Sequence, residues 1–353
     1  MRRIVGLAVG VVVAGLPGCS GPPVPPRVVA GTGELAVVAT FEDFGGFPGQ
    51  MGFDAEGTLY VDGLREDGPV FVLHEGGGVR EINPDGRGPS GLNPRFPNPM
   101  VVAPDGTLYV GRASGLEEEH GGVWVVPPEG DARVILGEGF RREPGDQYKL
   151  DSVPNGLALD PGSGVLYVAV GARVFRVDGD DRLKLVAGNG RKYAGDGRPA
   201  VSSGLGQVTA LAVEPATGDL WIASSYQILK VGKDGILRRV AGSAITESED
   251  SPDRDDFERR IKVNQMTFGP RGDLYYVSGS GLGRIRDGVV TAVLQPDRTR
   301  REFGPCPEPG PLRSVVVPSF LYGLALDTAG NLYVSGRCAD LPVVFMVGSP
   351  LPI

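Results

Sequence analysis

The chain has 353 residues, 41% of them hydrophobic, with 56 glycines, 31 prolines and a formal charge of −8. That acidity argues against a nucleic-acid partner, because phosphate binding needs a basic face. The hydrophobic residues fall in short runs between glycines, which excludes a disordered low-complexity chain and points to an all-β fold rich in hairpins.

The first residues, MRRIVGLAVGVVVAGLPGCS, read as a targeting segment. Arg2 and Arg3 precede an apolar run from Ile4 to Leu16, shorter than the ~20 residues of a membrane span. The run ends in Leu16-Pro17-Gly18-Cys19, which resembles the lipobox of bacterial lipoproteins. The resemblance implies removal of residues 1–18, lipidation of Cys19, and a location on the extracytoplasmic face of the cell membrane. The alternative is an ordinary secretory signal with a chance cysteine. Residues 19–32, containing SGPPVPP, then form a proline-rich, semi-rigid tether, and 33–353 form one domain.

That domain repeats one unit. GQMGFDAEGTLYV, NPMVVAPDGTLYV, NGLALDPGSGVLYV, TALAVEPATGDLWI, NQMTFGPRGDLYYV and YGLALDTAGNLYV each read as strand, tight turn, strand. Their aromatic anchors are Tyr60, Tyr109, Tyr167, Trp221, Tyr275 and Tyr333. A second hairpin follows the first five copies, giving four strands per repeat, the signature of β-propeller blades. The sixth copy lacks its outer strand, which GELAVVATF near the N-terminus can supply, with RVVAG just before it as a competing candidate. Closure by an N-terminal strand removes the open edge. Along the inner strands one parity is bulky (Met51, Leu211, Met266) and the other small (Gly52, Ala212, Thr267), so neighbouring blades interdigitate. The expectation is a six-bladed β-propeller.

Between the third and fourth copies lies VAGNGRKYAGDGRPA. No helix pattern follows it and a Walker Lys-Ser/Thr pair is absent, so it lacks the parts of a phosphate cradle. With the hairpin that follows, it resembles the NHL-repeat family, whose blades share an AGNG…GDG.PA loop. The resemblance implies a recognition platform, although some relatives are enzymes.

The first inner-strand positions, aligned by the turns, are Gly49, Asn98, Asn155, Thr209, Asn264 and Tyr322. Blade-to-blade connections gather at the channel mouth, so these residues form the candidate ligand-binding ring. Pro154-Asn155-Gly156-Leu157 resembles a segment of the gluconolactonase and senescence-marker propellers. There an Asn joins a Glu and an Asp around calcium. Here Asn98 and Asn155 match the neutral ligands, while Gly49 and Thr209 stand at the acidic positions, and amides alone make a poor calcium site. The competing reading is that the Asn side chains tie down strand starts through backbone hydrogen bonds. His74 and His120 are too few for a three-His zinc site, and neither a metal nor any other cofactor is expected.

Cys306 and Cys338 are the cysteines left after Cys19, and an exported compartment favours a disulfide between them. An acidic insert, Thr246 to Arg260, and an initially basic one, Asp297 to Gly310, flank the fifth blade. They read as a partner-binding rim or as mutually paired surface. The function expected is a lipid-anchored, non-enzymatic recognition propeller for a protein, peptide or carbohydrate ligand. The alternative is a divergent lactonase-like or lyase-like enzyme using the channel.

Overall fold

Each repeat folds as a hairpin because its turn chemistry closes locally. In the first, Asp54 accepts the Thr58 N–H at 2.7 Å and the Tyr60 hydroxyl at 3.1 Å. The turn glycine, Gly57, has φ +83°, a left-handed conformation that a side chain would strain. In the last repeat Asp327 takes the Asn331 N–H and the Tyr333 hydroxyl in the same way. The aromatic anchors are thus half of an acid–aromatic clasp across each of these turns.

The computed structural model describes residues 33–40, 47–64, 70–73, 79–82, 99–113, 121–129, 132–136, 154–178, 182–193, 195–242, 262–278, 281–294, 310–312, 321–338 and 341–349. After β1 (Glu34–Thr40), blade 1 is β2 (Phe47–Phe53), β3 (Leu59–Leu64), β4 (Val70–Leu73) and β5 (Val79–Ile82). Blade 2 is β6 (Met100–Val102), β7 (Leu108–Ala113), β8 (Gly121–Val126) and β9 (Arg133–Leu136). Blade 3 is β10 (Gly156–Leu159), β11 (Leu166–Val170), β12 (Arg173–Asp178) and β13 (Arg182–Ala187). Blade 4 adds a short outermost strand, β14 (Arg198–Pro199), to β15 (Val208–Val213), β16 (Leu220–Ser224), β17 (Gln227–Val231) and β18 (Ile236–Gly242). Blade 5 is β19 (Val263–Phe268), β20 (Leu274–Ser278), β21 (Gly281–Arg286) and β22 (Val289–Leu294). Blade 6 runs β23 (Gly310–Pro311), β1, β26 (Leu341–Val347), β25 (Leu332–Cys338), β24 (Leu321–Leu326) from outside to inside. The protein is therefore a six-bladed propeller closed by its N-terminal strand. Leu35 pairs with Val347 and Val37 with Phe345, so GELAVVATF is the closing strand.

Six hydrophobic clusters lie between neighbouring blades around the ring. The bulky-against-small expectation holds at each inner strand that tests it. Gly52 lies so close to Val102 of blade 2 that a Cβ there would come within 2.6 Å of its Cγ2. Ala325 of blade 6 packs with Met51 of blade 1, and Ala212 of blade 4 with Met266 of blade 5. Burial at this density supplies the main stabilisation. Trp221 (blade 4) meets Phe268 (blade 5) edge-on at 5.5 Å, and Phe53 (blade 1) meets Tyr333 (blade 6) at 4.9 Å.

VAGNGRKYAGDGRPA is a structural strap. Its Arg198–Pro199 pairs with β18, and a single 3-10 turn, Ala200–Ser202, follows. Gly188 N–H donates to Ala200 O, Asn189 N–H to Ser203 O and Gly206 N–H to Arg191 O. Gly188 has φ +90°, and a Cβ there would fall 2.2 Å from Ala172 O. Four outer strands, β9, β13, β18 and β22, carry a bulge near their last residue.

The targeting segment with Cys19, the tether, RVVAG, His74, Asn98, His120, the Thr246–Arg260 insert and Cys306 lie outside the described residues. So does the Asp297 to Gly310 insert except Gly310, which begins β23; Cys338 ends β25.

Candidate functional site

The blade connections and the starts of the inner strands share one end of the ring. There the inner strands depart from regular pairing. Register shifts fall between Pro48 and Met51, Val208 and Ala210, Val263 and Gln265, and Leu321 and Leu324. Each bulge adds a residue that the neighbouring strand does not pair, and bulges re-aim side chains. Gly49, Thr209, Asn264 and Tyr322 stand at these bulges. Four of the six sequence-derived positions thus stand where the inner strands are irregular, whereas Asn155 precedes the regularly paired β10.

Asn155 and Asn264 both tie backbone together. Asn155 Oδ1 accepts the Gly171 N–H at 2.8 Å, while Gly171 O receives the Val208 N–H at 2.9 Å. One residue of blade 3, Gly171, is thereby held on its N–H by Asn155 at the start of its own inner strand and on its carbonyl by the inner strand of blade 4. Asn264 Nδ2 donates to Leu321 O at 2.9 Å, joining blade 5 to blade 6. Asn155 Nδ2 and Asn264 Oδ1 have no partner among the described residues. Thr209 is half-buried. Tyr322 is half-buried too, and burial pushes its phenol above the ordinary value against the opposing Arg337 charge, so it stays neutral.

Two glutamines bridge blades just inside this ring. Gln50 of blade 1 accepts the Met100 N–H of blade 2 at 2.9 Å and donates to Asn264 O of blade 5 at 3.1 Å. Gln265 of blade 5 accepts the Leu324 N–H of blade 6 at 2.8 Å. It also accepts the Met51 N–H of blade 1 at 3.1 Å and donates to Met51 O at 2.8 Å. Blades 1 and 5 are not neighbours, so these bonds cross the lumen in front of blade 6. Both side chains are neutral; in these contacts Gln265 uses three of its four hydrogen-bonding valences and Gln50 two.

Blades 1 and 6 show why position 49 is glycine. Ser335, fully buried, donates to Gly49 O at 2.9 Å and accepts the Gly323 N–H at 2.7 Å. Asp62, also fully buried, fills the space where a side chain at 49 would go: a Cβ there would be 3.0 Å from Asp62 Oδ2. Among the described residues no three His, Cys, Asp or Glu side chains gather as metal ligands. Reading the aligned first positions alone missed Gln50, Gln265, Asp62 and Ser335. A signal for the glutamines was present, since GQMGF and NQMTF alone share Gln-Met at the next position.

No model of a known protein family matches the chain. An auxiliary nutrient binding protein from Bacteroides thetaiotaomicron superposes with a TM-score of 0.57 at 16% identity, over 87% of this chain and 71% of that one. A gluconolactonase from Xanthomonas campestris superposes with a TM-score of 0.53 at 15% identity, over 90% and 89%. Teneurin-m from Drosophila melanogaster is 26% identical over 218 residues, which span 53% of this chain and 8% of that protein. At these identities the structural likeness shows the fold. The chain is a six-bladed propeller with neighbours of the gluconolactonase-like type, binding proteins and enzymes among them.

Proposed function

We propose that this chain is a lipid-anchored, extracytoplasmic propeller that binds a neutral or polar ligand at the mouth ring without transforming it. The observation that carries this is the pair of lumen-crossing glutamines, Gln50 and Gln265, directly inside the ring. They turn the mouth into a cup floored by amides, with Asn155, Thr209, Asn264 and Tyr322 on its rim and Asn98 as a further member. Amides and a hydroxyl read the hydroxyl groups of a carbohydrate or the peptide groups of a protein, and Tyr322 adds an aromatic face. The nutrient-binding neighbour supports both a binding role and a location outside the cytoplasm.

A second reading, a divergent lactonase-like enzyme, is favoured by the buried Asp62 carboxylate, which lies against Gly49, the place of an absent acid. Calorimetric titration of the full chain with calcium separates the two. The binding reading expects no micromolar calcium site and little rise in melting temperature. Micromolar binding that disappears in both Asn155→Ala and Asp62→Asn would overturn it in favour of the enzyme. The anchor has its own test: Cys19→Ala is expected to move the protein from the membrane fraction to the soluble one, and retention without lipid incorporation rejects it. In the exported compartment Cys306 and Cys338 form a disulfide, which mass spectrometry of unreduced protein rejects if it finds two free thiols.

A further inference from the structure

The outer edges of the blades are finished in different ways. In blades 4 and 6 a dipeptide ending in proline, Arg198–Pro199 or Gly310–Pro311, pairs with the outer strand. Proline lacks the N–H to continue a ladder, so each of these sheets ends there. The outer strands of blades 1, 2 and 3 carry charge: Arg80 and Glu81 in β5, Arg133 in β9, Arg182 and Lys184 in β13. Charged side chains keep an edge hydrated and discourage further pairing.

Blade 5 has neither device. Its outer strand β22 reads VVTAVL, without a charge, and no strand among the described residues pairs with its outer edge. The bulge falls late, at Val293, which leaves Val289 to Ala292 flat. Val289 is 63% exposed, and Thr291 and Ala292 are exposed beside it. This is an edge of β-branched and small residues whose backbone donors and acceptors meet no strand among the described residues.

We propose that β22 pairs antiparallel with β22 of a second copy, joining two propellers blade to blade through one continuous sheet. Charge selects this occupant. The chain carries a net charge of −8, so two copies approach with least repulsion along an edge that holds no acid. Pairing this strand with itself about a twofold axis buries no ionised group in any register. Valine and threonine are favourable cross-strand neighbours. The contact is short, so the dimer is weak and reversible.

Sedimentation equilibrium of the full chain in density-matched detergent tests this. The wild type is expected to move from one to two chains of 37.0 kDa as its concentration rises through the micromolar range, roughly −8 kcal/mol of association. Thr291→Lys sets a lysine near its own copy and is expected to weaken association about tenfold or more. Val289→Lys, at a more exposed position, serves as the second variant should the first alter the melting temperature. Hydrogen exchange is expected to show β22 amides protected in the wild-type dimer and unprotected in the variants. A wild type that stays monomeric overturns the proposal, as does a dimer indifferent to both lysines. Protected β22 amides in a monomer overturn it as well, because the chain would then cover its own edge.

Discussion

The two ends of the six inner strands follow different rules. At the turn end the same local clasp recurs: Asp54 with Tyr60, Asp327 with Tyr333, Glu214 with Trp221. Each clasp is built within one blade from residues six or seven apart, so a repeat can carry it unchanged. At the mouth end bulges break the register, and bonds run between blades, from Gln50 to Met100 and Asn264, and from Gln265 to Met51 and Leu324. The blades do not repeat one group there: blades 1 and 5 supply glutamines, blades 3 and 5 asparagines, and blade 6 a tyrosine. The difference teaches that repetition builds the ring, whereas departures from repetition shape the surface a ligand meets.

The division can be broken at its strongest point. Trp221 is buried, meets Phe268 edge-on, donates to Glu214 at 3.2 Å and lies 5.3 Å beneath the Lys230 ammonium. Trp221→Ala is expected to lower unfolding free energy by about 3–5 kcal/mol in a denaturant titration. Gln265→Ala removes the partners of two backbone N–H groups and one carbonyl at the mouth. Its expected loss is smaller, about 2–3 kcal/mol, because water can reach part of the vacated space. Equal losses in the two variants would erase the distinction between a load-carrying turn end and a shaped mouth.

The smallest effect sharpens the comparison through pH. At the turn end of blade 5 the Arg286 guanidinium bonds both Asp273 oxygens, at 2.6 and 2.5 Å, and holds that carboxyl below its ordinary value. A depressed carboxylate contributes stability above its unfolded pKa and loses it as pH falls through the folded one. Arg286 is 36% exposed, so Arg286→Met is expected to lose only about 1 kcal/mol near neutrality. The gap to wild type should begin to narrow as pH falls below about 4 and vanish only below the depressed folded value. A gap that does not narrow at all as pH falls below about 4 would mean packing of the arginine stem, and not its charge, holds this turn.

What the sequence disclosed follows the same line. Blade number, strand pairing and the large-against-small interlock were legible because each depends on residues at fixed spacing, whereas the closing strand was legible only as one of two N-terminal candidates. Trp221 and the tyrosines stood at one register in all six copies. The mouth was legible only as a list of positions. That Asn155 would hold backbone was among the readings its sequence allowed, but that Gln265 would cross to Met51 depends on how far each blade leans and where its strand bulges, and no single repeat encodes that. Asp62 was hidden for a related reason. It belongs to the second strand, and only a fold that brings it against Gly49 gives it meaning.

The closing strand also sets the order in which the molecule can be made. Leu35 finds its partner in Val347, near the opposite end of the chain, so the first strand synthesised waits for the last. Until then β1 and the inner strands of blade 6 present unsatisfied edges, while blades built from neighbouring segments form early. Such long-range pairing is slow because loop-closure entropy is lost before the contacts form. Ring closure is therefore expected to come late in folding, and the interval before it to be when the chain is most exposed to aggregation.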